Sequence, residues 1–294
     1  GRLGREALLP AVMADGGDVS RGLVELARNR GLSRGLRESA VSWLGRELAR
    51  TGADGREIAT TLSGLARDPN EPASVRTRAV SSLGRAEGTG TTELLALASS
   101  DDPTIAKAAI SGLSRSSEPR AREAIRKAAR DQSLPEPVRT EAIRALGGRD
   151  ATPADLAQLR SLWSSITAES TREAILNQLG EAGGADNARW LLEVASDDRQ
   201  SGGVRARAIR AAEKAGIGSK ELIALYDRGG DRSVRRAALE ALFRIGDKVA
   251  VDRALAIAKN DSDPQLRRVA VNWLGKSGDP RAKEALTDLV DKQD

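Results

Sequence analysis

The sequence predicts an all-α chain, a superhelical solenoid of about eight stacked two-helix repeats, and three observations predict it. In the stretch SVRTRAVSSLG, 74–84, the apolar residues Val75, Ala79, Val80 and Leu83 recur at three- and four-residue steps. That spacing puts them on one stripe of a helix and not on alternate faces of a strand. The same pattern returns at 35–45, 104–114, 137–147, 170–180, 203–213, 233–243 and 265–275. An anchor arginine marks one slot of the pattern at Arg37, Arg76, Arg139, Arg172, Arg205, Arg235 and Arg267, with Ala106 in the third copy. Successive slots lie 30 to 39 residues apart, room for two helices of about three turns each and two short loops. A helical hairpin of this size cannot bury its apolar stripe alone, so the repeats are predicted to stack in a right-handed or gently curved array with one continuous core.

Taken in order, residues 3–17 have helical apolar spacing broken by Pro10 and closed by Gly16 and Gly17, the pattern of a second helix from an incomplete repeat. Residues 20–31 start at a Ser cap and end at a Gly, which predicts a first helix leading into the anchor helix at Arg37. Further first helices are predicted at 55–67, 91–99, 119–130, 153–166, 185–195, 219–227, 248–259 and 279–292, each but the last followed by an anchor helix. The loops between them, among them RDPNEPAS, SDDPT, SDDRQSGG and NDSDPQ, carry the Asp, Pro, Gly and Ser that turns and helix caps need. Gly183, Gly216, Gly246 and Gly278 stand eleven residues past the anchor arginine, where a left-handed helix terminator is wanted. Gly45, Gly84, Gly147, Gly180 and Gly275 come three residues earlier, and there the predicted need is close approach of a neighbouring backbone. A length of 294 residues would ordinarily suggest two domains, but the unbroken period predicts a single array. It divides into an incomplete repeat at 1–18, eight repeats over 19–278 and a capping helix at 279–294. The chain begins at Gly1 without an initiator Met, which suggests that a leader, a tag or further repeats once preceded it. Leu8, Leu9 and Val12 would then be an unprotected end.

Only six residues are aromatic, so the core must be built from Ala, Leu, Val and Ile, whose small volumes let helices approach closely. With neither Cys nor His anywhere, thiolate chemistry, imidazole acid/base catalysis and the usual zinc ligands are excluded, and no metal or cofactor is predicted. Absence of Cys fits cytoplasm and periplasm alike. No window of about 18 apolar residues exists to span a membrane as a helix.

The paired-helix period, the acidic loops, the anchor V-R-x-x-A-[VI]-x-x-L-G and the tail KSGDPRAKEAL at 276–286 resemble HEAT repeats. More narrowly, they resemble the short bacterial-type HEAT-like repeats of the phycobilisome-lyase type. The resemblance covers 20–292 and implies a HEAT-like α-α superhelical fold. It is nearly silent on function, because such repeats serve as scaffolds, adaptors, lyases and occasional DNA-repair enzymes. It further implies that the anchor arginines form a structural ladder by pairing with loop acids. Asp68 with Arg76, Asp231 with Arg235 and Asp263 with Arg267 match that pattern, while Ala106 leaves Asp102 without its arginine.

The chain carries 47 basic against 42 acidic residues, which invites a nucleic-acid reading. Seven of the basic residues are the anchors. Arg46, Arg85, Arg115, Lys214, Arg244 and Lys276 stand at anchor-helix C-termini, where a cation complements the helix dipole by about 0.3–1 kcal/mol. The paired acids Asp101 and Asp102, or Asp197 and Asp198, could serve as a general acid and base, but their inter-helix loops predict capping instead. The predicted function is therefore a non-catalytic protein-interaction scaffold or adaptor that takes an extended or helical protein segment. A nucleic-acid-binding solenoid is the second reading and a lyase-like or DNA-repair-like enzyme the third. The partner surface is predicted on the anchor helices opposite the buried stripe, one, two and five positions after the anchor slot. That row includes Ser42, Arg78, Ser81, Thr140, Arg144, Asn177, Arg210, Arg236, Glu240 and Asn272; it is polar, mixed in sign and without an aromatic to stack a base.

Overall fold

The computed structural model of the chain describes residues 19–284. The helix predicted at 3–17, with Leu8, Leu9 and Val12, and residues 285–292 of the last predicted helix lie outside that span. Two compact units divide the chain after Leu146.

In the first unit the helices are α1 (Val19–Arg28), α2 (Arg34–Thr51), α3 (Arg56–Arg67), α4 (Ala73–Leu83), α5 (Thr89–Leu97), α6 (Pro103–Leu113), α7 (Pro119–Arg130) and α8 (Glu136–Leu146). The anchor helices α2, α4, α6 and α8 pack on one another in sequence, and each is backed by the first helix that precedes it. The predicted stripe is the core: Val75, Ala79, Val80 and Leu83 are all fully buried. A Val or Leu buried this way contributes about 1.5–3 kcal/mol, so each helix pair is held mainly by its stripe. Helix α2 runs past the predicted 35–45 to Thr51, because Leu48 adds another buried turn and no terminator occurs before Gly52, whose φ is 57°.

The second unit contains α9 (Pro153–Leu162), a 3-10 turn (Trp163–Ser165), α10 (Glu169–Ala182), α11 (Ala185–Ser196), α12 (Gly202–Lys214), α13 (Ser219–Asp227), α14 (Arg232–Ile245), α15 (Lys248–Asn260) and α16 (Pro264–Leu274). A further helix begins at Pro280. Among the described residues there is no strand. Caps set the starts: Asp231, Asp247 and Asp263 each accept a backbone N–H from the first turn of the helix that follows, at 2.7, 2.7 and 2.9 Å. Thr152 and Asp155 form a reciprocal capping box at the start of α9. The terminator glycines Gly183, Gly216, Gly246 and Gly278 all have positive φ, from 62° to 98°.

The earlier glycine slot brings anchor helices together inside each unit. A Cβ on Gly45 would lie 2.6 Å from that of Ser82, and one on Gly147 would lie 2.3 Å from that of Gln178. Gly84 faces the Gly112 backbone and Gly180 the Ala211 backbone. In every case the eighth residue past one anchor slot meets the sixth past the next. Gly275, in the same register, is exposed.

Candidate functional site

The anchor arginines are engaged within the stack. Arg37 in α2, Arg76 in α4 and Arg205 in α12 each reach back ten residues, where Nε donates to the carbonyl of Ala27, Ala66 or Ala195 at 3.0, 3.0 and 2.8 Å. Those carbonyls sit in the last turn of the preceding first helix, where no intrahelical donor remains and a cation complements the dipole. Arg172 Nε donates to Ile166 O and Arg267 Nη1 to Asp261 O, each six residues back and just past the end of the preceding helix, at 2.6 Å.

With the inner nitrogen committed, the outer nitrogens of several anchors meet the next repeat. Arg37 pairs with Glu71 at 2.6 Å and Arg76 with Asp102 at 2.8 Å. Arg235, whose Nε has no hydrogen-bond partner among the described residues, pairs with Asp261, and Arg172 reaches Gln200 at 3.4 Å. Arg205 instead pairs with Asp198 of its own repeat's loop at 2.8 Å. Arg139 is half-buried in α8, and its Nε and one terminal nitrogen have no hydrogen-bond partner among the described residues.

These contacts correct the pairing the sequence suggested. Asp68 pairs with Arg30, not Arg76; Asp231 caps α14 and bonds Ser233; Asp263 caps α16 and pairs with Arg232 at 2.5 Å. Asp102 does have an arginine, that of the preceding repeat. The rungs therefore mostly join one repeat to the next, because the same-repeat contact is taken by a helix-end carbonyl and not by an acid.

The electrostatics follow from this wiring. Burial opposes ionisation of Asp102, but the Thr104 amide and the Arg76 guanidinium outweigh it and hold the carboxyl below its usual value. Asp261 is likewise desolvated, yet the Tyr226 hydroxyl, the Asp263 amide and Arg235 keep it low. Burial, with the hydrogen bond of 2.6 Å to Asp261, pushes the Tyr226 phenol up, while the Arg235 guanidinium stacks 4.6 Å from its ring. Asp197 is held low by the Arg199 side chain, Gln200 and the Arg199 amide, and Asp198 is shared by Arg205 and Arg228. Both acid pairs singled out in the loops thus contain carboxylates committed to caps or arginines. Among the described residues, no group of three or more acidic side chains is placed to share a cation.

The predicted partner row is divided differently. Arg78, Ser81, Arg144, Asn177, Arg210, Arg236 and Asn272 are exposed, whereas Ser42 and Glu240 are half-buried and Thr140 is buried. Several hydroxyls fold back on their own helix: Ser42, Ser81 and Thr140 donate to the carbonyl four residues earlier at 2.8–2.9 Å, leaving only acceptor capacity outward. Arg236 pairs with Glu240 at 2.8 Å and Arg144 with Glu141 at 3.9 Å. Arg78 and Arg210 make no ion pair among the described residues.

Two members of the row, Glu240 and Asn272, meet at a feature the row did not anticipate. Between α14 and α16 lies a cleft of about 140 Å³ lined by Leu239, Glu240, Phe243, Val269, Asn272, Trp273 and Lys276. Phe243, 40% exposed, meets Trp273 edge to face at 5.3 Å between ring centroids. The signal was present in the sequence. Phe243 occupies the slot that holds glycine in five other copies, and Trp273 occupies the facing slot that elsewhere holds Ser82, Gly112, Ala145, Gln178, Ala211 or Ala241. Two rings replace the close backbone approach, and α14 and α16 touch more sparsely than any other consecutive anchor pair within either unit.

Comparison with known proteins returns the same architecture. No curated protein matches the chain in sequence. A chain from the structure of Kap95p with RanGDP superposes with a TM-score of 0.59 at 15% identity, covering 93% of this chain but 43% of its own length. Human deoxyhypusine hydroxylase is 20% identical over 85% of this chain and 93% of its own, with a TM-score of 0.39. The CpcE–CpcF phycocyanin lyase complex of Nostoc sp. is 19% identical over 92% and 94%, with a TM-score of 0.31. At these identities the likeness concerns the fold alone, and the last two superpose too loosely to carry an argument. The family model described as HEAT repeats matches residues 91–175 and 219–294, more than half of the sequence, and with the helix pairs and their arginine rungs it places the chain in the HEAT-repeat family.

Proposed function

We propose that the protein is a non-catalytic interaction scaffold, holding a protein segment against the exposed side of its anchor helices. One observation carries this reading: most anchor arginines are committed to helix ends and loop acids, while the exposed Arg78, Arg144, Asn177, Arg210, Arg236 and Asn272 repeat along successive anchor helices. A periodic row of mixed polarity suits a partner that is itself extended or helical, gripped by many modest contacts. Kap95p, whose structure is that of a protein-bound solenoid, supplies a precedent for the fold and not for the partner. The test is charge reversal at Arg144, Arg210 and Arg236 together. The expected outcome is loss of the captured natural partner, with helical content and melting temperature unchanged. Retained capture by that variant, or loss on altering only exposed residues of the first helices, would overturn the proposal.

Nucleic-acid binding is the second reading, favoured by one local feature. On α4, α6 and the turns that follow them, Arg78, Arg85, Lys107 and Arg115 are exposed and make no ion pair among the described residues. In the second unit two of the three corresponding C-terminal cations are neutralised, Lys214 by Glu181 and Arg244 by Glu213, and Lys276 is left open.

A further inference from the structure

The cleft between α14 and α16 breaks the rule that builds the rest of the stack. Elsewhere within the units, a glycine, Ser114 or Glu213 at the eighth position faces a residue no larger than Gln178, and the anchor helices close on each other. Here Phe243 and Trp273 wedge the seam; Phe243 is exposed and Val269 half-buried at the gap, and the buried Leu239 lies at its floor. Phe243 is one of two large apolar residues in the described chain that are left exposed; the other, Val249, stands on α15 and does not line the cleft. At about 140 Å³ the cleft is well below the roughly 300–1,000 Å³ of sites that enclose a cofactor or drug-sized ligand. It is on the scale of a single bulky side chain. Trp273 is only 5% exposed, so its ring offers no face on which a base could stack.

Charge around the opening selects the occupant. Arg268, Asn272 and Lys276 follow at four-residue steps along α16 and its C-terminal turn, forming one polar edge. Arg268 and Lys276 are exposed and form no ion pair among the described residues, so each can take a carboxylate. On the opposite edge Glu240 is already neutralised by Arg236 at 2.8 Å. The rim is therefore net positive around an apolar floor.

The geometry points to this cleft as the seat of one Leu- or Phe-sized side chain carried by an acidic protein segment. An amphipathic helix lying along α16 would place its apolar anchor between Phe243 and Val269 and its acids over Arg268 and Lys276, while Asn272 serves a backbone or side-chain amide. A buried apolar anchor ringed by polar contacts is how interfaces concentrate their affinity. This assignment rests on the protein-binding reading above and names the partner's chemistry at one point of the row.

The probe is a fluorescein-labelled synthetic helical peptide in which Asp and Glu surround one central Leu or Phe. Two controls accompany it, one with Ser at the centre and one with Lys replacing the acids. Fluorescence anisotropy with the intact chain is expected to show saturable binding of the acidic apolar peptide alone. Binding should weaken by about tenfold or more in Phe243→Ser, and again in the double variant Arg268→Glu with Lys276→Glu, whose positions are exposed and whose folding is checked by circular dichroism. Equal binding of the Ser or Lys controls, or binding indifferent to both variants, overturns the assignment. Sedimentation showing concentration-dependent dimers that Phe243→Ser abolishes also overturns it and gives the cleft to a second copy. If the cleft variants keep the natural partner that the Arg144, Arg210 and Arg236 reversal loses, the cleft assignment fails and the scaffold stands. If neither set affects that partner, the scaffold reading fails as well.

Discussion

Arg37 shows what one anchor residue does. Arg37 and Glu71 are 4% and 6% exposed, so both charges are nearly dry; Arg37 has Glu71 as its acid, while Glu71 also takes the exposed Arg30 at 3.1 Å. Removing Glu71 strands the buried Arg37 charge, at a cost of up to about 3–5 kcal/mol, while removing Arg37 costs less because Glu71 keeps Arg30. Arg37→Ala and Glu71→Ala should each lower the urea midpoint markedly, while the double variant loses less than the two effects added; strict additivity would show that the charges do not interact. The arginine's slot was legible because it sits inside a local helical pattern. Its partner was not, because the acid comes from the following repeat and is chosen by how two helix pairs stack. Asp102 carries the same lesson with a pH signature. Its folded pKa is depressed, so the stability it contributes through Arg76 and the Thr104 amide is present above its ordinary value of 3.8 and is lost as pH falls through the lower folded value. Asp102→Asn should accordingly be less stable than wild type at neutral pH, and the gap should narrow as the solution is acidified below about pH 4. A gap that stays constant down that range would remove Asp102 from the ladder.

At the scale of the element, spacing between anchor helices is set by what occupies two slots. A Cβ on Gly180 would lie 3.0 Å from both the Cα and the carbonyl oxygen of Ala211, so α10 and α12 must part to admit it. Gly180→Ala is expected to destabilise by about 1–3 kcal/mol, the range for overpacking a tight contact. Gly64, exposed within α3, has nothing within 4 Å of its would-be Cβ. There the same substitution should stabilise by about 0.5–1 kcal/mol through helix propensity alone. Opposite signs in thermal unfolding would show that the glycine slot acts through packing; equal signs would show that it does not. The close-approach role of Gly45, Gly84, Gly147 and Gly180 was visible as a repeated glycine. The cleft was not, because it arises from a departure at Phe243 whose meaning needs the facing Trp273, thirty residues on.

For the whole molecule, the question is which class of partner a net charge of +5 serves. The excess is not spread evenly over the anchor surface. Lys214 and Arg244 are neutralised by Glu181 and Glu213, Arg236 by Glu240, and Arg144 lies near Glu141, whereas Arg78, Arg85, Lys107 and Arg115 are left open together in the first unit, and Arg210, Arg268 and Lys276 in the second. The four that stand together on α4, α6 and the turns after them are fewer than the six to ten phosphate contacts that give a duplex-binding protein a loss of about 10³–10⁵ in affinity between 50 and 200 mM salt. They also lack an interleaved aromatic, since Trp43 is the first unit's one aromatic residue and is covered by Arg46, 4.2 Å from its ring centroid. Binding to a short DNA or RNA duplex is therefore expected to be weak and non-specific, and nearly gone at physiological salt. Capture of the protein partner, held by paired charges and an apolar anchor, should fall only modestly over the same range. A titration of both against salt, with Arg78→Glu and Arg115→Glu as the probe of the open strip, separates the two readings. Duplex binding that survives physiological salt and collapses in that variant, beside a protein contact that dissolves, would make the cationic strip the working surface and the chain a nucleic-acid-binding solenoid.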